Sequence, residues 1–571
     1  MAWACSRRLL TDLTKILVAN RGEIAVRVMR TAREMGIACV AVYSEADRDA
    51  LHVRMADESY LLGPAPPAQS YLNIDRVLEA AARSGAQAIH PGYGFLAENA
   101  SFARRVVEAG LAWIGPHARA IEEMGDKLRA RRAMEAAGVP FVPGGTEPIA
   151  DVAAAREAAR RFGLPLALKA AGGGGGKGLK VARAPDEIEA AFTTATREAQ
   201  AYFANPIVYA ERYLENPKHV ELQIVADKHG TVLHAGERDC SLQRRHQKVW
   251  EEAPARISDG VRDALRAAGI RAARAIGYDS VGTIEFLVSG NDFYFLEMNT
   301  RIQVEHTVTE MICGIDLVRE QIRVALGEPL GYGQERIAFR GAAIEGRVNA
   351  EDPAQDFRPV PGSIGAYREP GGPGIRVDSA AYPGARIVPD YDSLVAKLIA
   401  WAPARDEAIA RLRRAIDEFV IEGVPTTLPI LRALCDEPRV RDATYGTATL
   451  EQFAQEERER GSLAAPSQAS ALAQLYRVKP TSSLKPAPRV PKARRTRAAL
   501  SGDIVLSPMH GVVVEISVAA GDRVNQGQVV AVVEAMKMMN EIRAQRAGAV
   551  TAVHARAGAT VEVDAPLVTL E

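Results

Sequence analysis

The chain has 571 residues, with 71 Lys and Arg against 71 Asp and Glu, 47% apolar and 25% charged residues, a composition that excludes a disordered, collagenous or membrane protein. Zero net charge offers no electrostatic pull toward nucleic acid or an anionic membrane, and no stretch approaches the ~20 consecutive apolar residues of a bilayer span. Cys5, Cys39, Cys240, Cys313 and Cys435 are scattered without a Cys-x-x-Cys pair, so neither a zinc site nor a disulfide framework is indicated and a reducing cytoplasm is expected.

At roughly 100–200 residues per domain, the length allows about three to five domains. Met1 to Thr14 carries Arg7 and Arg8 but lacks the long apolar core of a secretory signal, and is read as a ragged start. Lys15 to Asn20 predicts a strand, the amphipathic stretch to about Met35 a helix, and Ile37 to Tyr43 a second strand, a βαβ opening. The turn is Asn20-Arg21-Gly22-Glu23 rather than Gly-x-Gly-x-x-Gly, which excludes a nicotinamide-dinucleotide fingerprint. A further strand ends at Ala88 to Gly94, consistent with a doubly wound first domain to about residue 125.

The glycine run Gly172 to Gly176, followed by Lys177 and Gly178, lies between strand-like Leu164 to Lys169 and Gly178 to Ala182. A P-loop would need a glycine where Ala171 stands, Ser or Thr where Gly178 stands, and a helix afterward, so that motif fails. The run suits a lid whose backbone N–H groups close on phosphate oxygens beside Lys169, with a plain flexible linker as the alternative.

Gly282 to Val288 and Phe293 to Arg301 predict a β-hairpin around Ser289-Gly290-Asn291-Asp292. A five-residue loop would set Glu285 opposite Glu297, with Asn299 on the same face by strand alternation. Three oxygen ligands on one face suit Mg²⁺ bridging substrate phosphates. Two carboxylates on an otherwise apolar hairpin repel each other without a cation. Around them Arg301, Gln303, Val304, Glu305 and His306, with His246, Gln247 and Lys248 after Arg244-Arg245, assemble an anion site with a candidate base.

Gly461 to Ser501 contains no Asp or Glu, eight Lys or Arg and five Pro, the composition of a linker. Beyond it the sequence repeats at a shift of 37: Gly511/Gly548, Val513/Val550, Ala520/Ala557, Gly521/Gly558, Val524/Val561 and Glu534/Glu571 are identical. The repeat predicts a small β domain with quasi-twofold symmetry, and Glu534-Ala-Met-Lys537-Met-Met-Asn540 falls at the turn between its related strands.

The Ala-Met-Lys-Met turn resembles the biotin attachment motif of biotinyl carrier domains; related lipoyl domains usually carry Asp-Lys-Ala there. Residues 14 to about 455 resemble biotin carboxylase, an ATP-grasp enzyme, through Ile16 to Ala25, His90 to Asn99, Met124 to Lys127, Lys169 with the glycine lid, Glu237 to Ser241, Arg244 to Lys248, Glu297 to His306 and Arg347 to Asp352. The resemblance implies an α/β ATP-grasp architecture with a doubly wound N-terminal domain (12–125), an ATP-grasp domain (126–330) and an α+β C-terminal domain (331–455). A linker (456–502) and an all-β biotinyl/lipoyl-like barrel-sandwich domain (503–571) would follow.

It further implies that Lys127, Lys169, Gly175, Gly176, Glu211, Arg212, Tyr213, Leu214, His219, Gln243, His246, Glu285 and Glu297 hold ATP. Glu285, Glu297 and Asn299 would bind Mg²⁺ or Mn²⁺, and Lys248, Arg301, Gln303 and Val304 bicarbonate. Glu305 would be the base, Arg347 the group that stabilises reacting biotin, and Lys537 the site of biotin attachment. Gly346 stands where the family often has Cys, Thr307 where it often has Pro, and Lys177 where some members have Arg; none removes a charge from the site.

The implied activity is ATP- and bicarbonate-dependent carboxylation of biotin for a separate carboxyltransferase subunit of an acetyl-/propionyl-CoA carboxylase, with pyruvate as the close alternative acceptor. Biotin protein ligase would be a further partner, and the carboxylase part would form a homodimer within a hetero-oligomer. No nucleic acid or membrane partner is implied. As a coil, the 41-residue linker spans roughly 35 Å and at most ~135 Å, enough for a carrier to visit two sites.

Overall fold

Strand β1 (Lys15–Val18), an apolar run with three of its four residues buried, pairs in parallel with β2 (Ala38–Ser44) on one side and β4 (Ala88–His90) on the other. With β3 (Glu58–Gly63) and β5 (Ala112–Trp113) they form a five-stranded sheet in the order β3-β2-β1-β4-β5, the doubly wound layout expected from the opening βαβ. Helix α1 (Gly22–Glu34) repeats apolar residues at helical spacing and buries Ile24, Ala25, Val28, Met29 and Ala32 under this sheet. The computed structural model describes residues 13–171, 178–203, 205–245, 247–463, 503–535 and 538–571.

A small antiparallel sheet follows, with β6 (Leu166–Ala170) between β7 (Leu179–Ala182) and β8 (Val208–Arg212). The next sheet has eight strands: β9 (Lys218–Ala226), β10 (Val232–Arg244), β11 (Gln247–Ala253), β12 (Val281–Ser289), β13 (Asp292–Asn299), β14 (Ala342–Asn349), β15 (Ile375–Ser379) and β16 (Leu394–Ala402), in the order β13-β12-β9-β10-β11-β14-β16-β15. It therefore runs without a break from the predicted hairpin into the region after residue 340.

Its register decides what the site contains. Glu297 stands opposite Glu285, Glu285 opposite Glu221, and Glu221 opposite Arg238. Further along, Glu251 stands opposite Glu345. Residues directly opposite across a ladder share a face, so the sheet carries rows of charge, and helix α2 (His306–Cys313) packs over β10, β11, β14 and β16.

The hairpin differs from expectation in its turn. Ser289 pairs with Asp292, leaving a two-residue turn, Gly290-Asn291, with Gly290 at φ +61°. A register shift between Glu285 and Phe286 restores the opposition of Glu285 and Glu297 that a five-residue loop would have produced.

The C-terminal part is two four-stranded sheets related by the 37-residue repeat. One has the order β21 (Met538–Arg543), β20 (Val529–Ala535), β18 (Gly511–Ile516), β23 (Thr560–Val561); the other has β17 (Ile504–Leu506), β24 (Pro566–Leu570), β22 (Gly548–Val553), β19 (Arg523–Val524). Val513, Val533, Val550 and Leu570 meet in its apolar core. A Cβ at Gly511 would lie 2.4 Å from the Glu534 carbonyl oxygen, and one at Gly548 would lie 2.6 Å from that of Glu571. The repeated glycines thus serve one purpose, the close crossing of two related strands.

Candidate active site

A cavity of about 1010 Å³ opens between the small sheet, the β12–β13 hairpin and the C-terminal ends of the first sheet's strands. Lys127, Lys169, Glu211, Arg212, Tyr213, Leu214, His219, Gln243, Lys248, Glu285, Glu297, Asn299, Arg301, Gln303, Val304, Glu305 and Arg347 all line it. Gly175, Gly176 and Lys177 of the glycine lid, His246 and Lys537 lie outside the described residues.

At one end three cations meet two carboxylates. Lys169, on β6, pairs with Glu211 on β8; Arg131 holds the other oxygen of Glu211 at 2.5 Å, and Lys127 Nζ lies 2.9 Å from Glu297 Oε2. Burial disfavours charge on Lys127 and Lys169, but Glu297 and Glu211 overcome it and hold both ammonium groups above their ordinary range. Two positive charges therefore line this end of the cavity, which suits an anion such as a phosphate.

At the other end, the acid row is stitched by donors. Glu285 Oε1 accepts from Asn299 Nδ2 at 2.6 Å, Gln303 Nε2 at 2.7 Å and Lys248 Nζ at 3.2 Å, while His219 Nε2 lies 2.8 Å from Glu285 Oε2. His219 Nδ1 is in turn 2.6 Å from Gln243 Nε2. Burial raises the Glu285 carboxyl, but Lys248 and His219 prevail and hold it well below the usual carboxylate range. Glu285, Glu297 and Asn299 present oxygen atoms on one face, a donor set that fits a hard divalent cation. Lys248, His219 and Gln303 now contact Glu285, Lys127 contacts Glu297, and Arg301 contacts the Asn299 oxygen.

Lys248 links Glu285 to Glu305. Its ammonium reaches Glu285, Glu221 and, at 2.6 Å, Glu305 Oε1, while Arg347 Nη2 donates to Glu305 Oε2 at 3.0 Å. Burial pushes the Glu305 carboxyl up, yet Lys248, Arg347 and Arg238 together hold it below its ordinary range, so it is ionised. Arg301 reaches Glu98 Oε2 at 3.0 Å and Asn299 Oδ1 at 2.9 Å, which turns its guanidinium into the same space.

Several residues of this network escaped the sequence. Glu221 and Arg238 are wholly buried, paired at 2.9 Å, and Arg238 also donates to Gln223 at 2.7 Å and Gln303 at 2.6 Å. Glu98 orients Arg301, and Arg131 orients Glu211. The alternation of Val-Glu-Leu-Gln-Ile-Val at 220–225 reads as a half-exposed strand, whereas the structure buries both of its faces. From the first domain, Asn20 Nδ2 donates to the carbonyls of Pro91 and Tyr93 at 2.7 and 2.8 Å, tying two strand ends at the cavity wall.

Four segments of the chain match models of known protein families. Residues 12–121 match the biotin carboxylase N-terminal domain, 126–332 the carbamoyl-phosphate synthase L chain ATP-binding domain, 345–452 the biotin carboxylase C-terminal domain and 504–570 the biotin-requiring enzyme domain. Biotin carboxylase 1 of Bacillus subtilis is 51% identical over 444 residues, 77% of this chain and 99% of the relative. The chain belongs to the biotin carboxylase family. It is a ligase of a biotin-dependent carboxylase, with an ATP-grasp core and its carrier domain on the same chain.

Two relatives mark the range within that family. The biotin-dependent acyl-coenzyme A carboxylase alpha3 subunit of Mycobacterium leprae is 43% identical over 582 residues, covering 96% of this chain and 97% of the relative. One of the pyruvate carboxylase subunits of Methanothermobacter thermautotrophicus is 51% identical over 77% of this chain and 90% of the relative. Among solved structures, the biotin carboxylase domain dimer of Hydrogenobacter thermophilus 2-oxoglutarate carboxylase, in complex with MgADP, ADP and bicarbonate, superposes with a TM-score of 0.75 at 48% identity. It covers 78% of this chain and 98% of its own. Among the described residues of this biotin carboxylase no helix is long and apolar enough to cross a membrane, and Cys39, Cys240, Cys313 and Cys435 are unpaired thiols.

Proposed function

We propose that this chain is the carboxylase and carrier subunit of an acyl-CoA carboxylase, charging biotin on Lys537 for a separate carboxyltransferase chain. The observation that carries the chemistry is the position of Lys248, whose one ammonium contacts both Glu285 of the cation-binding row and Glu305. Phosphate activation and bicarbonate deprotonation then share one electrostatic centre. The acyl-CoA acceptor is supported by the Mycobacterium leprae subunit, which matches across the carboxylase part, the linker region and the carrier together.

In this reading Lys127, Lys169, Gly175, Gly176, Glu211 to Leu214, His219, Gln243 and His246 hold ATP, and Glu285, Glu297 and Asn299 take Mg²⁺ or Mn²⁺. When bound, the cation supplies charge that neutralises phosphate oxygens, and biotin supplies the ureido nitrogen that accepts the carboxyl group. Lys248, Arg301, Gln303 and the Val304 backbone hold bicarbonate, which is unreactive as an electrophile until a phosphoryl group activates it. An anion seated on Lys248 and Arg301 takes Lys248 from Glu305, raises that carboxylate's proton affinity and lets it accept the bicarbonate proton. Arg347, held between Glu251 and Glu305, presents positive charge where negative charge develops on the acceptor.

The carboxylase part is proposed to dimerise, as the domain dimer of the Hydrogenobacter enzyme does, and biotin protein ligase to modify Lys537. The test is avidin capture from native lysate, identification of the retained chain, and assay of the complex with labelled bicarbonate on acetyl-CoA, propionyl-CoA and pyruvate. Label on an acyl-CoA with a carboxyltransferase chain retained is expected; label on pyruvate alone would transfer the subunit to the other acceptor class.

A further inference from the structure

Glu251 and Glu345 face each other across β11 and β14, both wholly shielded from solvent. Next along the same face, Ala253 and Ala343 join Ile399, Val308 and Ile312 in an apolar floor, so the two carboxyl groups sit in a dry place. Glu251 Oε1 accepts from Arg347 Nε at 2.5 Å, and Glu345 Oε2 accepts from the Thr307 hydroxyl. Glu251 Oε2 and Glu345 Oε1 remain buried with no partner among the described residues. Directly opposed residues of an antiparallel pair have Cβ atoms only ~4.5–5.5 Å apart, close enough for two glutamate carboxyls to touch.

The charges facing the pair do not suffice for two anions. Arg347, on the same strand as Glu345, also serves Glu305. Lys397, across from Arg347 on β16, is 3.1 Å from Glu23 and 3.7 Å from Asp378. Lys248, on the strand of Glu251, is held by Glu221, Glu285 and Glu305. Like charges in a low-dielectric site cannot both persist, and the usual outcome is one shared proton.

We propose that Glu251 and Glu345 hold a single proton between Glu345 Oε1 and Glu251 Oε2, and that this acid pair positions Arg347 in the active site. The arrangement leaves no oxygen idle. The Thr307 hydroxyl donates to Glu345 Oε2, Glu345 Oε1–H donates to Glu251 Oε2, and Arg347 donates from Nε to Glu251 and from Nη2 to Glu305. With the proton in place one anion stands behind Arg347; without it a second anion draws the guanidinium away from Glu305. Burial pushes the Glu251 carboxyl up, and burial with the Glu251 charge beside it raises the Glu345 carboxyl well above its ordinary range. Thr307 stands where resembling sequences often have Pro, so this chain has its own donor for Glu345.

The inference rests on the placement of Arg347 in the site proposed above, and its test has a readout separate from activity. The full biotinylated chain and E345Q are compared by difference infrared spectroscopy in H₂O and D₂O at neutral pH. A carboxylic-acid carbonyl band that shifts in D₂O and disappears in E345Q is expected; equal bands in both proteins would overturn the proposal. The second readout is the pH profile of bicarbonate-dependent ATP cleavage. An alkaline fall in the wild type should vanish in E345Q and move about one pH unit upward in T307V, because the lost hydroxyl had favoured the ionised carboxylate. T307V, a milder change, keeps the test available should E345Q fold poorly, and an unmoved alkaline fall in T307V would count against the pair. Absent ATP cleavage in the wild type would overturn the proposed function instead, and the infrared band would still decide the pair.

Discussion

Glu221, Arg238, Glu251, Glu345 and Lys397 are wholly buried in the carboxylase part, whereas in the carrier the buried polar side chains among the described residues are those of Ser507 and Asn540, both uncharged. Each buried ion costs several kcal/mol of desolvation, recovered only when its hydrogen bonds are satisfied. The carboxylase part accepts that cost because bicarbonate and phosphate must react where water is excluded and charge is fixed. The carrier, in the proposed function, only transports biotin. A valine-rich interior and a repeated strand crossing suffice to hold its two sheets together.

The sharpest break between the two regions is expected at Lys537. K537R keeps the charge but cannot be biotinylated, so avidin binding and acceptor carboxylation should fall to background while unfolding of both regions stays as in the wild type. Retained avidin capture would move the attachment site elsewhere. E305Q should lower the rate of biotin carboxylation by ~10²–10⁴, the range for loss of a positioned base, with the nucleotide affinity kept; a loss of less than tenfold would remove Glu305 from that role.

A third change separates the regions by stability. R238M leaves Glu221 buried with less positive charge, and breaking such a pair costs ~3–5 kcal/mol. Denaturant unfolding should show an early transition for the carboxylase part and an unchanged one for the carrier. The double variant R238M/E221M should recover much of that stability but stay inactive, since Lys248 and Gln303 lose the groups that hold them.

How much of this was legible in the sequence follows the distance over which each feature is specified. The opening βαβ and the carrier's symmetry depend on local strand patterns and a repeat, and both appear in the structure. The opposition of Glu285 and Glu297 was anticipated through the wrong turn: a two-residue turn with a bulge at Glu285/Phe286 produces the pairing that a longer loop would have given. Periodicity gives which face a residue occupies, and a bulge changes the count without leaving a signature in composition. Glu221 with Arg238, and Glu251 with Glu345, were out of reach. The first pair depends on a register shift in the β9–β10 hairpin, and the second on the pairing of strands whose glutamates are 94 residues apart.

The carrier's symmetry supplies the smallest and most discriminating test. A Cβ at Gly511 meets the Glu534 carbonyl at 2.4 Å, and one at Gly548 meets the Glu571 carbonyl at 2.6 Å, contacts that only a backbone shift relieves. Overpacking of this kind costs ~1–3 kcal/mol. If the two halves are equivalent crossings, G511A and G548A should destabilise the carrier by similar amounts and leave ATP cleavage with free biotin untouched. The halves are expected to differ in function, because the proposed attachment turn between β20 and β21 carries Lys537, whereas Leu500 stands at the position 37 residues earlier. G511A displaces the strand that ends at that turn, since Glu534 lies on β20, three residues before Lys537. It should therefore slow biotinylation by the ligase more than G548A does at equal stability. Equal biotinylation rates in the two variants would show that the ligase reads the turn alone and not the crossing beneath it.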